Sequence, residues 1–257
     1  MNIQTLFRTK VEELYSQKGM YDKKNLYASD LSSCHRKVFL SFGHKKYLKQ
    51  SDYIAEAFKT IKAKRTGEVL HADFMKILKE IGFLVEAELP IVDPEYFTSC
   101  RLDAVIRVNK EYYIVEFKTS SEYSYEKYNS EGEPLLEHYY QLQWYFDIYE
   151  RYKDKNEKLS KTFFGTPITK GYIVYENKNN HDFCWFPIRK NDSAVKKLRE
   201  EARKLKQEID SNILPERGYE KEDWHCKFCQ YFNFCYPEEQ KNKILIQEEE
   251  KNASTQD

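Results

Sequence analysis

Arg101-Leu102-Asp103-Ala104-Val105-Ile106-Arg107-Val108-Asn109-Lys110-Glu111-Tyr112-Tyr113-Ile114-Val115-Glu116-Phe117-Lys118-Thr119 reads as two strands around a turn. Val, Ile, Tyr and Phe dominate both halves, and Asn109-Lys110 is the break between them. If those two residues form the loop of a hairpin, Val108 faces Glu111, and counting outward from there Asp103 faces Glu116. Cross-strand partners hold their Cβ atoms about 4.5–5.5 Å apart on one face, so both carboxylates reach the same cation. Lys118 lies two residues beyond Glu116 and shares that face. A four-residue loop keeps this pairing, whereas an odd-length loop breaks it.

The residue types suit hydrolysis of a phosphodiester. Mg²⁺ or Mn²⁺ takes oxygen ligands and retains waters. A cation held by two carboxylates polarises a phosphate and lowers the pKa of a bound water, and a neighbouring lysine orients that water and offsets phosphate charge. The plainer reading is a solvent-facing hairpin. Against it, Glu116 and Lys118 interrupt a run of Ile, Val and Phe, where charge is costly unless it is used.

Outward from the hairpin, a helical pattern covers roughly 53–80, with Ile54, Phe58, Ile61, Leu70, Phe74 and Leu78 in phase and Gly82 beyond its end. It carries Gly67-Glu68-Val69-Leu70-His71, whose imidazole is a candidate further ligand, although a lone helical histidine is more often structural. Strands are expected at 83–92, 100–108, 112–119, 170–177 and 182–188, and helices at 2–17, 135–153 and 192–211. Ser29 or Asp30 is expected to cap a helix containing Cys34, Arg36, Val38 and Leu40. Residues 120–134 are polar and read as a loop. Gln141 and Tyr145 stand i, i+4 on the helix that follows and project together, toward phosphate or base, or for Tyr145 into the core.

Lys+Arg and Asp+Glu balance at 42 each, so nucleic acid is not coated by bulk charge, and only a local basic groove is available for it. Lys45, Lys46, Lys49, Lys59, Lys62, Lys64 and Arg65 form a basic stretch ahead of His71, readable as a DNA-facing rim or as a solvated face. With 40% hydrophobic and 16% aromatic residues the chain builds a sizeable core. No signal pattern or membrane-length apolar run is visible, so a cytoplasmic protein without membrane association is expected.

Six cysteines in that compartment argue against three disulfides. Cys226, Cys229 and Cys235 cluster in Cys226-Lys227-Phe228-Cys229 and just beyond, one thiolate short of a closed four-ligand site. Cys100 adjoins the hairpin strand and Cys184 alternates within another, so both read as core cysteines. Cys34, on an N-terminal helix outside the sheet, is the expected fourth ligand. Spacing alone leaves zinc and a [4Fe–4S] cluster open.

The ordered set Gly67…His71, Asp103, Glu116-Phe117-Lys118 and Gln141…Tyr145 resembles the RecB-like branch of the PD-(D/E)XK nucleases. One departure is that Cys100 stands three residues before the Asp, where the family often has Gly. The resemblance implies that His71, Asp103 and Glu116 bind the metal, Mg²⁺ or Mn²⁺, with the backbone carbonyl of Phe117. It implies that Lys118 is catalytic, together with Asp103 and Glu116, and that Gln141 and Tyr145 line the DNA path. The one-plus-three cysteine layout is similar to that of AddB-type nucleases and the CRISPR-associated Cas-four exonucleases, which tips the choice toward [4Fe–4S] on Cys34, Cys226, Cys229 and Cys235.

The expected fold is therefore α/β, a restriction-endonuclease-like core with a mixed central sheet flanked by helices and an iron–sulfur cap joining both chain ends. Residues 1–50 are the N-terminal helical part of that cap, 51–190 the nuclease core, 191–237 the C-terminal helix and cysteine cluster, and 238–257 a disordered tail. The resemblance implies a metal-dependent DNA exonuclease on single-stranded DNA or strand ends, processing DNA for CRISPR spacer acquisition or recombination, with the CRISPR spacer integrase as a partner. The alternative is a catalytically silent DNA-binding or assembly module on the same fold.

Overall fold

The computed structural model describes residues 2, 3, 5–7, 9, 10, 22–47 and 50–238, without the side chains of 44, 45 and 50–62. In chain order the elements are α1 (His35–Phe42), α2 (His44–Tyr47), α3 (Gln50–Glu80), β1 (Leu84–Asp93), β2 (Thr98–Val108), β3 (Glu111–Ser120), α4 (Glu122–Glu131), α5 (Leu136–Tyr152), α6 (Glu157–Phe163), β4 (Lys170–Asn177), β5 (Phe183–Arg189), α7 (Asp192–Asp210), α8 (Trp224–Lys227) and α9 (Phe232–Cys235). Of the helix expected over 2–17, position 2 is not helical, positions 3, 5–7, 9 and 10 are, and the others lie outside the described residues, as do residues 239–257 of the expected tail. No helix among the described residues is long and apolar enough to cross a membrane.

The chain forms two compact units. One comprises Asn25–Ser33 and Lys62–Ser211; the other comprises Met1–Lys24, Cys34–Ile61 and Asn212–Asp257. The first is a five-stranded mixed sheet in the order β1-β2-β3-β4-β5, antiparallel except for the β3–β4 pair. A parallel pair needs a crossover, and here it carries α4, α5 and α6. Ile114, Val115, Glu116 and Phe117 of β3 are all buried, the signature of a strand covered on both faces.

Phe74, Met75 and Leu78 of α3 cover one face, packing on Ala104, Ile106, Val115, Phe117 and Val174. Phe74 stacks on Phe117 with ring centroids 4.4 Å apart. Gly82, with φ +76°, closes the helix as Phe83 N–H donates to the Leu78 carbonyl. The buried helix α5 packs on β3 and β4. Its close approach depends on Gly171, where a Cβ would lie 2.3 Å from the Ile114 carbonyl oxygen and 3.0 Å from Phe146 Cζ. Two buried polar side chains of α5 find partners on other elements: Gln143 donates to the Arg189 carbonyl and accepts from Asn191 N–H, and Asp147 pairs with Arg199 as well as with Arg151 of its own helix.

The 120–134 region is not a loop. Ser121 caps α4 by accepting from Ser124 N–H, Gly132 ends it at φ +70°, and Tyr125 is buried. Its polar composition hid the start signal at Ser121 and the stop signal at Gly132, and the single buried tyrosine supplies the packing that a short isolated helix lacks. A second correction concerns Cys34: Ser29 and Asp30 belong to a 3-10 turn, and α1 begins at His35 with Cys34 as the residue before its first turn.

Candidate active site

The hairpin forms in the expected register. Asn109 and Lys110 adopt φ +51° and +70°, the positive values a two-residue type I′ turn requires, and the ladder runs from Val108↔Glu111 to Ala104↔Val115. One position further, where Asp103 faces Glu116, the side chain takes over: Asp103 Oδ2 accepts the Phe117 N–H at 2.9 Å. That bond satisfies a buried donor and leaves Asp103 Oδ1 free to face a ligand. Glu116 is fully buried, ion-paired with the Lys118 ammonium, and its Oε2 has no hydrogen-bond partner.

From α3, His71 packs edge-on against Phe117 and brings Nε2 to 3.7 Å from Asp103 Oδ1. The same nitrogen is 3.3 Å from Glu88 Oε1, a residue of β1 to which the sequence assigned no role. Ala87↔Ala104 and Leu89↔Leu102 bracket Glu88 opposite Asp103, so Glu88, Asp103 and Glu116 stand level on three adjacent strands. One ligand atom each of His71, Glu88 and Asp103 falls within a 4.8 Å set. Around them opens a cleft of about 550 Å³, whose walls include Lys64, Gly67, Arg101, Phe117 and Lys118. Three carboxylates thus meet one imidazole, Lys118 and Arg101.

Electrostatics follow from that crowding. Burial, then the charge of Asp103, pushes the Glu116 carboxyl up to about 8, with Lys118 opposing. Burial pulls the Lys118 ammonium down, but Glu116 and Asp103 together outweigh it and hold it above its ordinary value. The contact with Asp103 raises His71, against burial and with help from Glu88 and Glu116. A buried carboxylate carrying an orphaned oxygen, beside converging oxygen and imidazole donors, fits a hard divalent cation.

The profile of the PD-(D/E)XK nuclease superfamily matches residues 4–236. The chain belongs to that superfamily. No curated protein matches it. Among solved structures, the crystal structure of SSO0001 shares the fold at 21% identity and a TM-score of 0.53, over 90% of this chain and 94% of that one. The alkaline exonuclease LHK-Exo from Laribacter hongkongensis aligns at 14% identity and a TM-score of 0.46, over 74% of this chain and 90% of that one. LHK-Exo in complex with dAMP aligns at 14% and 0.44, over 79% and 94%.

In this PD-(D/E)XK chain, Gln141 and Tyr145 share a face of α5 as spaced, and Gln141 Nε2 donates to the Tyr145 hydroxyl at 2.7 Å. Both side chains are buried, and neither is among the residues lining the cleft. Tyr145 feels the charges of Glu116 and Asp103, and burial raises its hydroxyl pKa. One turn earlier, His138 Nδ1 lies 2.8 Å from the Tyr175 hydroxyl, which accepts the Leu135 N–H. Burial and the nearby Lys118 push His138 down to about 3, so it is neutral. Nothing in the sequence marked this histidine, because its burial depends on Tyr175 of β4.

The cysteines divide as their positions suggest. Cys100 on β2 and Cys184 on β5 are buried in the sheet unit, and burial pushes the Cys100 thiol up to about 12. Cys34, Cys226, Cys229 and Cys235 all lie in the other unit as free thiols. Cys34 Sγ would sit 3.3 Å from a Cβ on Gly218, and Arg36 Nε donates to the Pro215 carbonyl, so the N-terminal segment is tied to the C-terminal one. Burial raises Cys226, Cys229 and Cys235, and each is raised further by the charges of its cysteine neighbours, Cys34 included. No three of these sulfurs lie within 4.8 Å of one another.

Proposed function

We propose that the chain is a divalent-metal-dependent deoxyribonuclease, acting as an exonuclease on single-stranded DNA or strand ends. The observation that carries this is the meeting of Asp103 Oδ1, His71 Nε2 and a fully buried Glu116 paired with Lys118, in a chain of the PD-(D/E)XK superfamily. His71, Asp103, Glu116 and the Phe117 carbonyl would hold Mg²⁺ or Mn²⁺. When bound, such an ion supplies Lewis acidity toward the scissile phosphate and lowers the pKa of a water. Lys118 stays protonated between the carboxylates, where it orients a nucleophilic water and offsets phosphate charge. The Phe117 N–H holds Asp103 in place, so no reorganisation of that carboxylate is needed. Lys64 and Arg101 give the cleft a positive rim for the phosphodiester backbone, and the resemblance alone sets the Gln141–Tyr145 pair along the DNA path, since both side chains are buried behind the cleft wall.

Cys34, Cys226, Cys229 and Cys235 carry a [4Fe–4S] cluster in this reading, as structural reinforcement of their unit. A cytoplasmic role in spacer acquisition, next to the CRISPR spacer integrase, or in recombination follows from the resemblance of the combined motifs. End-labelled single-stranded, blunt and tailed DNA, digested with Mg²⁺ or Mn²⁺, tests the activity. Mononucleotides released from the wild type and not from Lys118→Ala are expected. Absence of cleavage on every substrate, or equal cleavage by Lys118→Ala, would return the chain to a silent DNA-binding module.

A further inference from the structure

Glu88 is out of place for an ordinary strand residue. It sits inside β1, yet its φ is +52°, a value that L-residues other than Asn and Asp avoid at a cost of roughly 1–2 kcal/mol. The β1–β2 ladder passes it by, with regular pairs on either side and a register shift between Leu84 and Glu86 just before it. The bulged backbone brings the side chain to the cleft, where its two oxygens have different partners. Oε2 takes Arg101 Nε at 2.5 Å; Oε1 stands 3.3 Å from His71 Nε2.

Of the three level carboxylates, Glu116 is engaged by Lys118 and one Asp103 oxygen by Phe117 N–H. The atoms left converging are Asp103 Oδ1, His71 Nε2 and Glu88 Oε1, and His71 Nε2 is buried without a hydrogen-bond partner. Two oxygens and an imidazole nitrogen, one from each of three elements, form one side of a cation's coordination sphere.

We propose that Glu88 is itself a ligand of the divalent cation, and that Arg101 is the counter-ion that holds its carboxylate in the cleft. This rests on the acidic site proposed above and adds to it a ligand from β1. Arg101 is two-thirds exposed, so its charge is screened and it competes only weakly with a dication for Glu88. A purely structural Glu88–Arg101 pair would behave differently, because removing either partner would then leave the metal untouched.

The test is Mn²⁺ binding by calorimetry to the full chain without DNA, independent of cleavage. Glu88→Gln keeps the size and removes the charge, and is expected to weaken Mn²⁺ roughly ten-fold or more. Glu88→Asn tolerates the positive φ and is too short to reach the ion, so it should show the same loss in a fold at least as stable. Arg101→Gln is expected to tighten Mn²⁺ by about three-fold, since a like charge beside the cation is gone. Asp103→Asn serves as the reference and should lose Mn²⁺. Wild-type affinity in Glu88→Gln and Glu88→Asn, with Mn²⁺ lost in Asp103→Asn, would overturn the role of Glu88 alone. Unchanged affinity in Asp103→Asn as well would overturn the acidic site and this ligand with it.

Discussion

Glu116→Gln should make the metal-free protein more stable while removing its activity. Glu116 is fully buried beside Asp103, and its carboxyl is pushed up to about 8, from an ordinary 4.5. The folded value lies above the unfolded one, so the stability it contributes is complete below about 4.5 and is lost as pH rises through about 8. At pH 7 the unfolded chain gains from ionising Glu116 over about 2.5 pH units at ~1.36 kcal/mol each, a penalty on folding of roughly 3 kcal/mol. Glutamine has the same shape and no charge to release; it also takes the counter-ion from the buried Lys118, so the gain is an upper bound. For a chain of this size about 1 kcal/mol moves Tm by roughly 2–4 °C, so Glu116→Gln should melt about 6–12 °C above wild type at pH 7 in buffer free of divalent ions. The gap should nearly vanish at pH 5 and be largest at pH 8 and above. Saturating Mn²⁺ should then raise the Tm of wild type and not of the variant, because an ion that binds only the folded state stabilises by mass action. Thermal scans of both proteins at pH 5, 6, 7 and 8, with and without Mn²⁺, read all of this. A pH-independent gap, or a variant less stable than wild type at pH 8, would refute the burial argument.

Four further outcomes are expected. Asp103→Ala should cut no DNA while keeping its circular dichroism, since the Phe117 N–H it strands costs only about 1–3 kcal/mol and Glu116 is relieved of a like charge; cleavage at the wild-type rate would remove Asp103 from the site. Tyr145→Phe keeps the buried ring and loses the hydroxyl bonded to Gln141, so DNA binding measured by fluorescence anisotropy should weaken more than Mn²⁺ binding; the reverse order would place Tyr145 with the metal ligands. Anaerobically purified protein should be brown with about four irons per chain, a colour that Cys34→Ser loses and that Cys100→Ser and Cys184→Ser keep; stoichiometric zinc without iron would rule out the cluster. Gly171→Ala drives a methyl into the Ile114 carbonyl and Phe146 and should cost about 1–3 kcal/mol or more in urea unfolding, and a neutral result would contradict the packing of α5 on the sheet.

The β2–β3 hairpin was determined by the sequence itself, down to which residues face each other. A two-residue turn has one register, so Asn109-Lys110 was enough to set Asp103 opposite Glu116. Helical spacing likewise placed Gln141 beside Tyr145, because i, i+4 neighbours meet on any α-helix. Glu88 was beyond reach of the same reasoning: its level with Asp103 depends on the irregular Pro94–Phe97 connection and on a register shift in β1, neither of which leaves a local signal. The approach of His71 to Asp103 belongs to tertiary structure too, since it follows from Phe74, Met75 and Leu78 seating α3 on the sheet. So does the burial of Tyr145 and His138, which comes from α5 lying between the sheet and α7 and not from any pattern along α5. Local geometry is written in spacing, whereas the meeting of distant side chains depends on how whole elements pack, a sum of many weak contacts that no single motif encodes.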